Sequence, residues 1–392
     1  MSKVILHIDL NAFFATAERL RHPEWKGEPI IVGGETFRGV VSTCSYEARS
    51  FGVRSAMPIV EAKRLCPKGH FVPCDFPYYS MLSRSFFAYL REVSPLIEEA
   101  SIDEGYLDIT RQIRKEQDPL SYLKKIQEGL LLRIGLQSSL GVAPTKFLSK
   151  MASDMKKPMG ITILRRKDLE KLLYPLPISS FFGIGKKSAP ILEAHGIKTI
   201  GDLKRRFEKE DPFLKAHFGK MYQTLKEEVN GYGDDLVDPS PYDPKSIGHS
   251  ETFPFDTDEE KRIKEKISEL THLSFLSLER EKKKVKTVQL LAKDSSFHSF
   301  TRSHSFEEGV NDEETLKKEL LKLYEKNFLG KELRLVGVSF QNLIDPFKET
   351  VQMNFWNYGD YEKLDKTKLL VNELNRKLDK PLLKLASKEK KK

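Results

Sequence analysis

Cysteine is scarce in this chain: Cys44, Cys66 and Cys74 are the three in 392 residues. So few thiols exclude a disulfide scaffold and predict a reducing compartment. Long hydrophobic runs are also missing. No stretch approaches the roughly 20 apolar residues that a bilayer span needs. The opening MSKVILHIDLNAFF reads as too short and too polar for a secretory leader. Zinc is excluded on similar grounds. Cys66, His70 and Cys74 lie four apart, but no fourth donor is nearby, and Pro67 and Gly69 break any helix between them. There is no internal repeat.

Charge of one sign is in excess. Lys and Arg number 66 against 57 Asp and Glu, a formal net charge of +9. That balance favours a polyanionic partner, nucleic acid ahead of a membrane surface. The length predicts two to four domains, and a 39% hydrophobic content is enough for sizeable cores.

Hydrophobic periodicity organises the first half as alternating strands and helices. In VILHID, Val4, Leu6 and Ile8 share one strand face and Ile5, His7 and Asp9 the other, so Asp9 falls at a strand end. Asn11 is a suitable N-cap for the helix that follows. PIIVGG and GVVSTCSYEA carry β signals, and SAMPIVEAKRLCP reads as a short helix. Residues 78–91 form an amphipathic helix. PLIEEASI and GYLDI make a hairpin. A helix over 120–134, a strand at SSLGVA and a helix over 145–155 complete the pattern.

From residue 165 to about 232 the texture changes to short helices. GYGDDLVDPSPYDP, residues 231–244, reads as a linker. Beyond it the order is βαββαβ, a split βαβ sandwich. Its first helix is opened by a capping box of Thr257 and Glu260, and its second is capped by Asp312. The tail after Pro346 is polar and reads as flexible.

The hairpin EEASIDEGYLDI sets Asp103 beside Glu104 among apolar residues. Gly105 permits a positive φ, so a tight turn or bulge would turn both carboxylates to one side, where Asp9 joins them. Three hard oxygen donors at strand ends suit Mg²⁺, and two such ions suit in-line phosphoryl displacement. Adjacent acids at a hairpin tip are also commonly solvated turn residues, and the residues alone leave both readings open.

Other segments handle phosphate. Residues 10–14 enter a helix whose main-chain N–H groups offer an anion site for a triphosphate. Tyr46 and Arg49, three apart, face the same way on a helical turn. Lys156 and Lys157 precede a proline. Each of these is also an ordinary surface group taken singly. Gly183 and Gly185 flank one apolar residue, with a helix starting at Lys186 and ending at His195–Ile197. That spacing is a helix-hairpin-helix, which grips a duplex backbone through main-chain N–H groups; a plain helix connection is the alternative.

Together HIDLNAFFATAE, GVVSTCSYEARSFGVRSAMP, SIDEGYLDI, LGVAPTKFLSKMASDMKKPMGI, FFGIGKKSAPILEAHGI, KSIGHSETF and LRLVGVSF resemble the Y-family DNA polymerases, the translesion class of the DNA polymerase IV type. The resemblance spans residues 1 to about 345 in family order. It implies an α+β multidomain right hand without an exonuclease. The palm would be 1–10 and 75–164, the fingers 11–74, and the thumb with its helix-hairpin-helix 165–232. A linker at 233–245 would lead to a βαββαβ little finger at 246–345 and a tail at 346–392.

It also implies that Asp9, Asp103 and Glu104, with the carbonyl of Leu10, hold two Mg²⁺ ions, Mn²⁺ being a possible substitute. Tyr46, Arg49 and Lys157, with Ala12 and Phe13, fall on the triphosphate positions. Gly183, Gly185 and Lys186 fall on the DNA backbone contact. Phe14 falls on the steric gate, although from the residues alone it reads as a core helix position. Val40 and Ser42 would roof the nascent pair. Asn11 and Ala12 depart from the acid or cysteine and the aromatic of many relatives, and Gly105 from the commoner alanine.

Primer–template DNA and dNTPs are the implied partners, with no membrane, in a monomer of the bacterial cytoplasm performing low-fidelity lesion bypass. In the tail, QMNFW resembles the bacterial sliding-clamp peptide through Gln352, Met353, Phe355 and Trp356. Two rivals remain at this point: a non-catalytic DNA-binding adaptor and a nucleotidyl cyclase with a similar two-metal site.

Overall fold

The computed structural model describes residues 3–346, so the Gln352–Trp356 segment lies outside the described residues. The chain divides into two compact units, Met1–Tyr242 and Asp243–Lys392.

The first unit is built on a five-stranded sheet in the order Ile97–Glu99, Glu104–Asp108, Ile5–Leu10, Ser138–Ala143, Ile161–Ile163. Ile5–Leu10 is antiparallel to both of its neighbours and buried along its whole length. Burial on two faces encloses His7 and Asp9 along with the apolar residues of this strand. Leu6, Ile8 and Leu10 pack with Phe86 and Leu90 of the Phe76–Val93 helix and with Leu123, Ile126 and Leu130 of the Pro119–Ile134 helix. The opposite face is covered by the Lys146–Asp154 helix, capped by Thr145, whose hydroxyl accepts from Leu148 N–H at 3.3 Å. Gly141 lets that helix lie directly on the sheet, since a Cβ there would stand 2.1 Å from the Ser149 carbonyl.

A three-stranded sheet, Val41–Cys44, Ile30–Gly33 and His70–Val72, closes a small core of Ile31, Val41, Val53, Ile59 and Cys66. Four short helices, Ser188–Ala194, Ile200–Glu208, Pro212–Phe218 and Tyr222–Val229, surround Leu192, Leu203, Phe207 and Leu225. A reciprocal pair of bonds between Thr199 and Asp202 opens the second of them.

The second unit is βαββαβ: Ser246–Thr257, Glu260–Glu281, Lys284–Lys293, Ser299–Val310, Glu313–Phe328 and Leu333–Ile344. Its antiparallel sheet runs in the order third strand, second, fourth, first. Both helices cover one face, where Ile267, Leu270, Leu320 and Tyr324 meet Val288, Leu290, Val336 and Phe340. Asp312 caps its helix as expected, accepting from Thr315 N–H at 2.8 Å. Thr257 does not form a capping box. It ends a strand, and its hydroxyl accepts from Glu259 N–H, one residue before the helix begins.

Candidate active site

Strand register brings the acids together. Asp9 pairs with Glu104 across adjacent strands, so their side chains share a face. Leu10 N–H donates to the Asp103 carbonyl at 2.9 Å, tying the bend before the strand to the same end of the sheet. Gly105 is not at positive φ. Its role is close approach: a Cβ there would meet the Glu98 carbonyl at 3.0 Å and Phe87 at 3.1 Å. The hairpin is therefore seated on the Phe76–Val93 helix, and the register, not a glycine turn, aims Glu104.

Two ammonium groups enter this cluster. Lys150 Nζ, on the buried helix, lies 3.0 Å from Asp9 Oδ2, 2.6 Å from Glu104 Oε2 and 3.8 Å from Asp154 Oδ2. Lys157 Nζ lies 2.8 Å from the same Asp9 oxygen and 2.7 Å from Asp154 Oδ1. Lys150 and Asp154 were not singled out in the sequence. A lysine inside the apolar run FLSKMAS was the available signal, because a buried ammonium demands a partner. Behind the acids, buried His7 contacts Ser153 Oγ through Nδ1 at 2.8 Å, with Nε2 3.4 Å from Glu104 Oε2.

The electrostatics follow from this packing. His7 and Lys150 hold Glu104 well below the usual carboxylate range, against the burial that pushes it up. Of the two, Lys150 is the closer; His7 is too far for a regular hydrogen bond. Burial pushes the His7 imidazole below its ordinary range. Burial also pushes Asp103 up, partly offset by the Ser101 hydroxyl, which donates to Oδ1 at 2.6 Å, and reinforced by the charges of Asp9 and Glu104. Lys150 is raised: burial opposes its charge, but Asp9, Glu104 and Asp154 outweigh it.

Among the described residues, no group of three or more His, Cys, Asp and Glu side chains stands close enough to form a metal cluster. Asp9 and Glu104 converge on Lys150, while Asp103 turns to Ser101. The donors nonetheless fit a hard divalent cation. They are carboxylate oxygens, and four carboxylates against two ammonium groups leave the cluster negative.

Around the acids stand the residues expected at a triphosphate. Tyr46 and Arg49 lie on the Tyr46–Ser50 helix, the guanidinium 4.5 Å from the ring centre. Burial raises the Tyr46 hydroxyl, while the charges of Arg49, Lys157 and Asp9 all reach it, which places the four in one locality. Ala12 is the cap residue of the Phe13–Arg21 helix, at φ 46°. Asn11 is not the cap. It is buried, its amide Nδ2–H donates to Ser139 Oγ at 2.9 Å, and its Oδ1 accepts from Met159 N–H at 2.8 Å, two residues beyond Lys157. Phe13 is buried in the core. Phe14 is half-buried, stacked on Tyr79 with centroids 4.3 Å apart.

Gly183, at φ 96°, Gly185 and Lys186 are exposed, and a Cβ on either glycine would meet nothing within 4 Å. The helix expected from Lys186 starts at Ser188 instead. The loop is anchored by Ile184, which is buried between the glycines.

Three matches to family models cover most of the chain: the impB/mucB/samB family over residues 8–154, its helix-hairpin-helix motif over 166–197 and its C-terminal domain over 244–355. The chain is 37% identical over 378 residues to DNA polymerase IV of Oceanobacillus iheyensis, covering 96% of this chain and 89% of that protein. It is 35% identical over 379 residues to DNA polymerase IV 1 of Bacillus subtilis, covering 96% and 91%. Among solved structures, a Y-family DNA polymerase chimera of Dbh and Dpo4 superposes with a TM-score of 0.77 at 27% identity, covering 87% of this chain and 99% of that one. An insertion ternary complex of Dbh DNA polymerase gives a TM-score of 0.61 at 25% identity with the same coverage.

The chain belongs to the impB/mucB/samB family, the Y-family DNA polymerases. Within it the chain is of the DNA polymerase IV type, a translesion DNA-directed DNA polymerase with palm, fingers, thumb and little finger. No helix among the described residues is long and apolar enough to cross a membrane.

Proposed function

We propose that nucleotidyl transfer from a dNTP to a primer 3′-hydroxyl takes place at the Asp9–Glu104 end of the five-stranded sheet, with low fidelity, across damaged templates and without an exonuclease. The observation that carries this reading is the register of Asp9 opposite Glu104, with Asp103 tied to Leu10 beside them. Asp9, Asp103, Glu104 and the Leu10 carbonyl would hold two Mg²⁺ ions, with Mn²⁺ a substitute, and the ions would supply activation of the hydroxyl and neutralisation of phosphate charge.

The chain's own side chains do the rest. An arriving triphosphate competes with Asp9 for Lys157, which exchanges a carboxylate for a phosphate oxygen. Tyr46 donates its hydroxyl and Arg49 its guanidinium to the same phosphates, and the main-chain N–H groups at Ala12 and Phe13 face the helix entrance. Phe14 lies against C2′ of the sugar, where a hydroxyl would clash. The small side chains of Val40, 48% exposed, and Ser42 roof the nascent pair and leave room for distorted bases.

The loop at Gly183–Lys186 and the βαββαβ unit hold duplex through its phosphates. The tail segment Gln352–Trp356 docks on a sliding clamp. The protein acts as a monomer in the bacterial cytoplasm.

Primer extension on undamaged templates and on templates carrying an abasic site or a bulky adduct tests this reading. Extension through at least one lesion, with no shortening of the primer, is expected. Arrest at every lesion, or 3′ degradation, would refute it.

A further inference from the structure

Lys150 occupies the position a metal ion would contest. Its ammonium touches one oxygen of Asp9 and one of Glu104, at 3.0 and 2.6 Å, and it comes from the helix that Gly141 seats against the sheet. Only 11% of the side chain is exposed, so the contact is shielded from solvent. Lys157 is different in kind. It reaches Asp9 from the segment beyond that helix, and a phosphate can draw it away. Lys150 projects from a buried helix and is only 11% exposed, against 25% for Lys157.

Resting on the reading of Asp9 and Glu104 as the cation-binding pair, we propose that Lys150 is a positioning residue: a resident counter-cation that holds the two carboxylates together in the substrate-free enzyme and sets how tightly a divalent cation binds. The physical reason is a balance of two charges at one place. Without a cation, buried Asp9 and half-buried Glu104, paired in register, repel each other, and an ammonium between them offsets that repulsion. The same positive charge then opposes an entering divalent ion. Lys150 therefore weakens metal affinity while preserving the geometry that receives the metal.

The test uses the full chain without DNA or dNTP, with Mn²⁺ as probe, its free aqueous form followed by electron paramagnetic resonance. Lys150→Met is expected to bind Mn²⁺ about tenfold tighter than the parent. Its thermal midpoint should be lower without Mn²⁺ and should regain most of the difference at saturation. Lys150→Arg, which keeps the charge, should bind like the parent. Should Lys150→Met destabilise the fold too far to titrate, Lys150→Gln replaces it with the same expectation.

Unchanged or weaker Mn²⁺ binding in the neutral variants, while Asp9→Asn abolishes parental binding, would overturn the role of Lys150 and leave the site intact. Parental binding that survives both Asp9→Asn and Glu104→Gln would overturn the site assignment, and this inference with it.

Discussion

The ring of Phe14 stacks on the ring of Tyr79, with planes inclined by only 12°. Tyr79 is itself fixed, its hydroxyl donating to buried Glu18 at 2.6 Å. The proposed gate is thus a braced wall, not a lone side chain on a helix.

Phe14→Ala should lower discrimination against ribonucleotides by roughly a hundredfold. Tyr79→Ala should lower it by a smaller factor, because the ring loses its backing while remaining present. Single-nucleotide incorporation with paired dNTP and rNTP measures both. Unchanged selectivity in Phe14→Ala would place the gate elsewhere.

Glu228, in the helix Tyr222–Val229, is pushed up to about 7 by burial, with Glu227 adding repulsion. The unfolded chain releases this proton at an ordinary carboxylate pKa, so between about pH 4.5 and 7 the folded state binds more protons than the unfolded. Stability from this group therefore falls as pH rises through that window. Glu228→Gln should match the parent near pH 4.5 and exceed it by about 1 kcal/mol at pH 8, a value discounted for partial exposure. Denaturant melts at the two pH values check this; an equal offset at both would contradict it.

Duplex binding through the exposed loop at Gly183–Lys186 should depend steeply on salt. Lys186→Ala should weaken binding equally on different sequences and reduce the slope of log affinity against log salt by about 0.9. A change confined to one sequence, or an unaltered slope, would speak against a phosphate contact there.

Deletion of Gln352–Trp356 should abolish stimulation by a bacterial sliding clamp and spare extension without it. Equal stimulation of the truncated and full chains would remove the peptide from the account.

Much of the site was legible because it lies in the ladder. VILHID showed by alternation that Asp9 sits at a strand end on the face opposite Leu6 and Ile8, and DEG marked the strand pair that meets it. The order βαββαβ was legible for the same reason, since periodicity changes at each element. What periodicity does not carry is a partner distant in the chain. Asn11 reads as a helix cap locally, but Met159 and Ser139, far away in sequence, claim its amide. Gly105 reads as a turn residue, but Phe87 requires it for closeness. Lys150 stands out in the sequence only as a lysine in an apolar run; its partners, Asp9 and Glu104, emerge when the helix of Lys146–Asp154 is laid on the sheet.

The most direct measurement is templated extension by Asp103→Ala beside the parent, with Mg²⁺, dNTPs and one undamaged primer–template, and duplex affinity measured in parallel. The expected result is a loss of at least roughly a hundredfold to a thousandfold in extension rate, with affinity for the duplex nearly unchanged. Extension within a fewfold of the parent would contradict the assignment of the three acids.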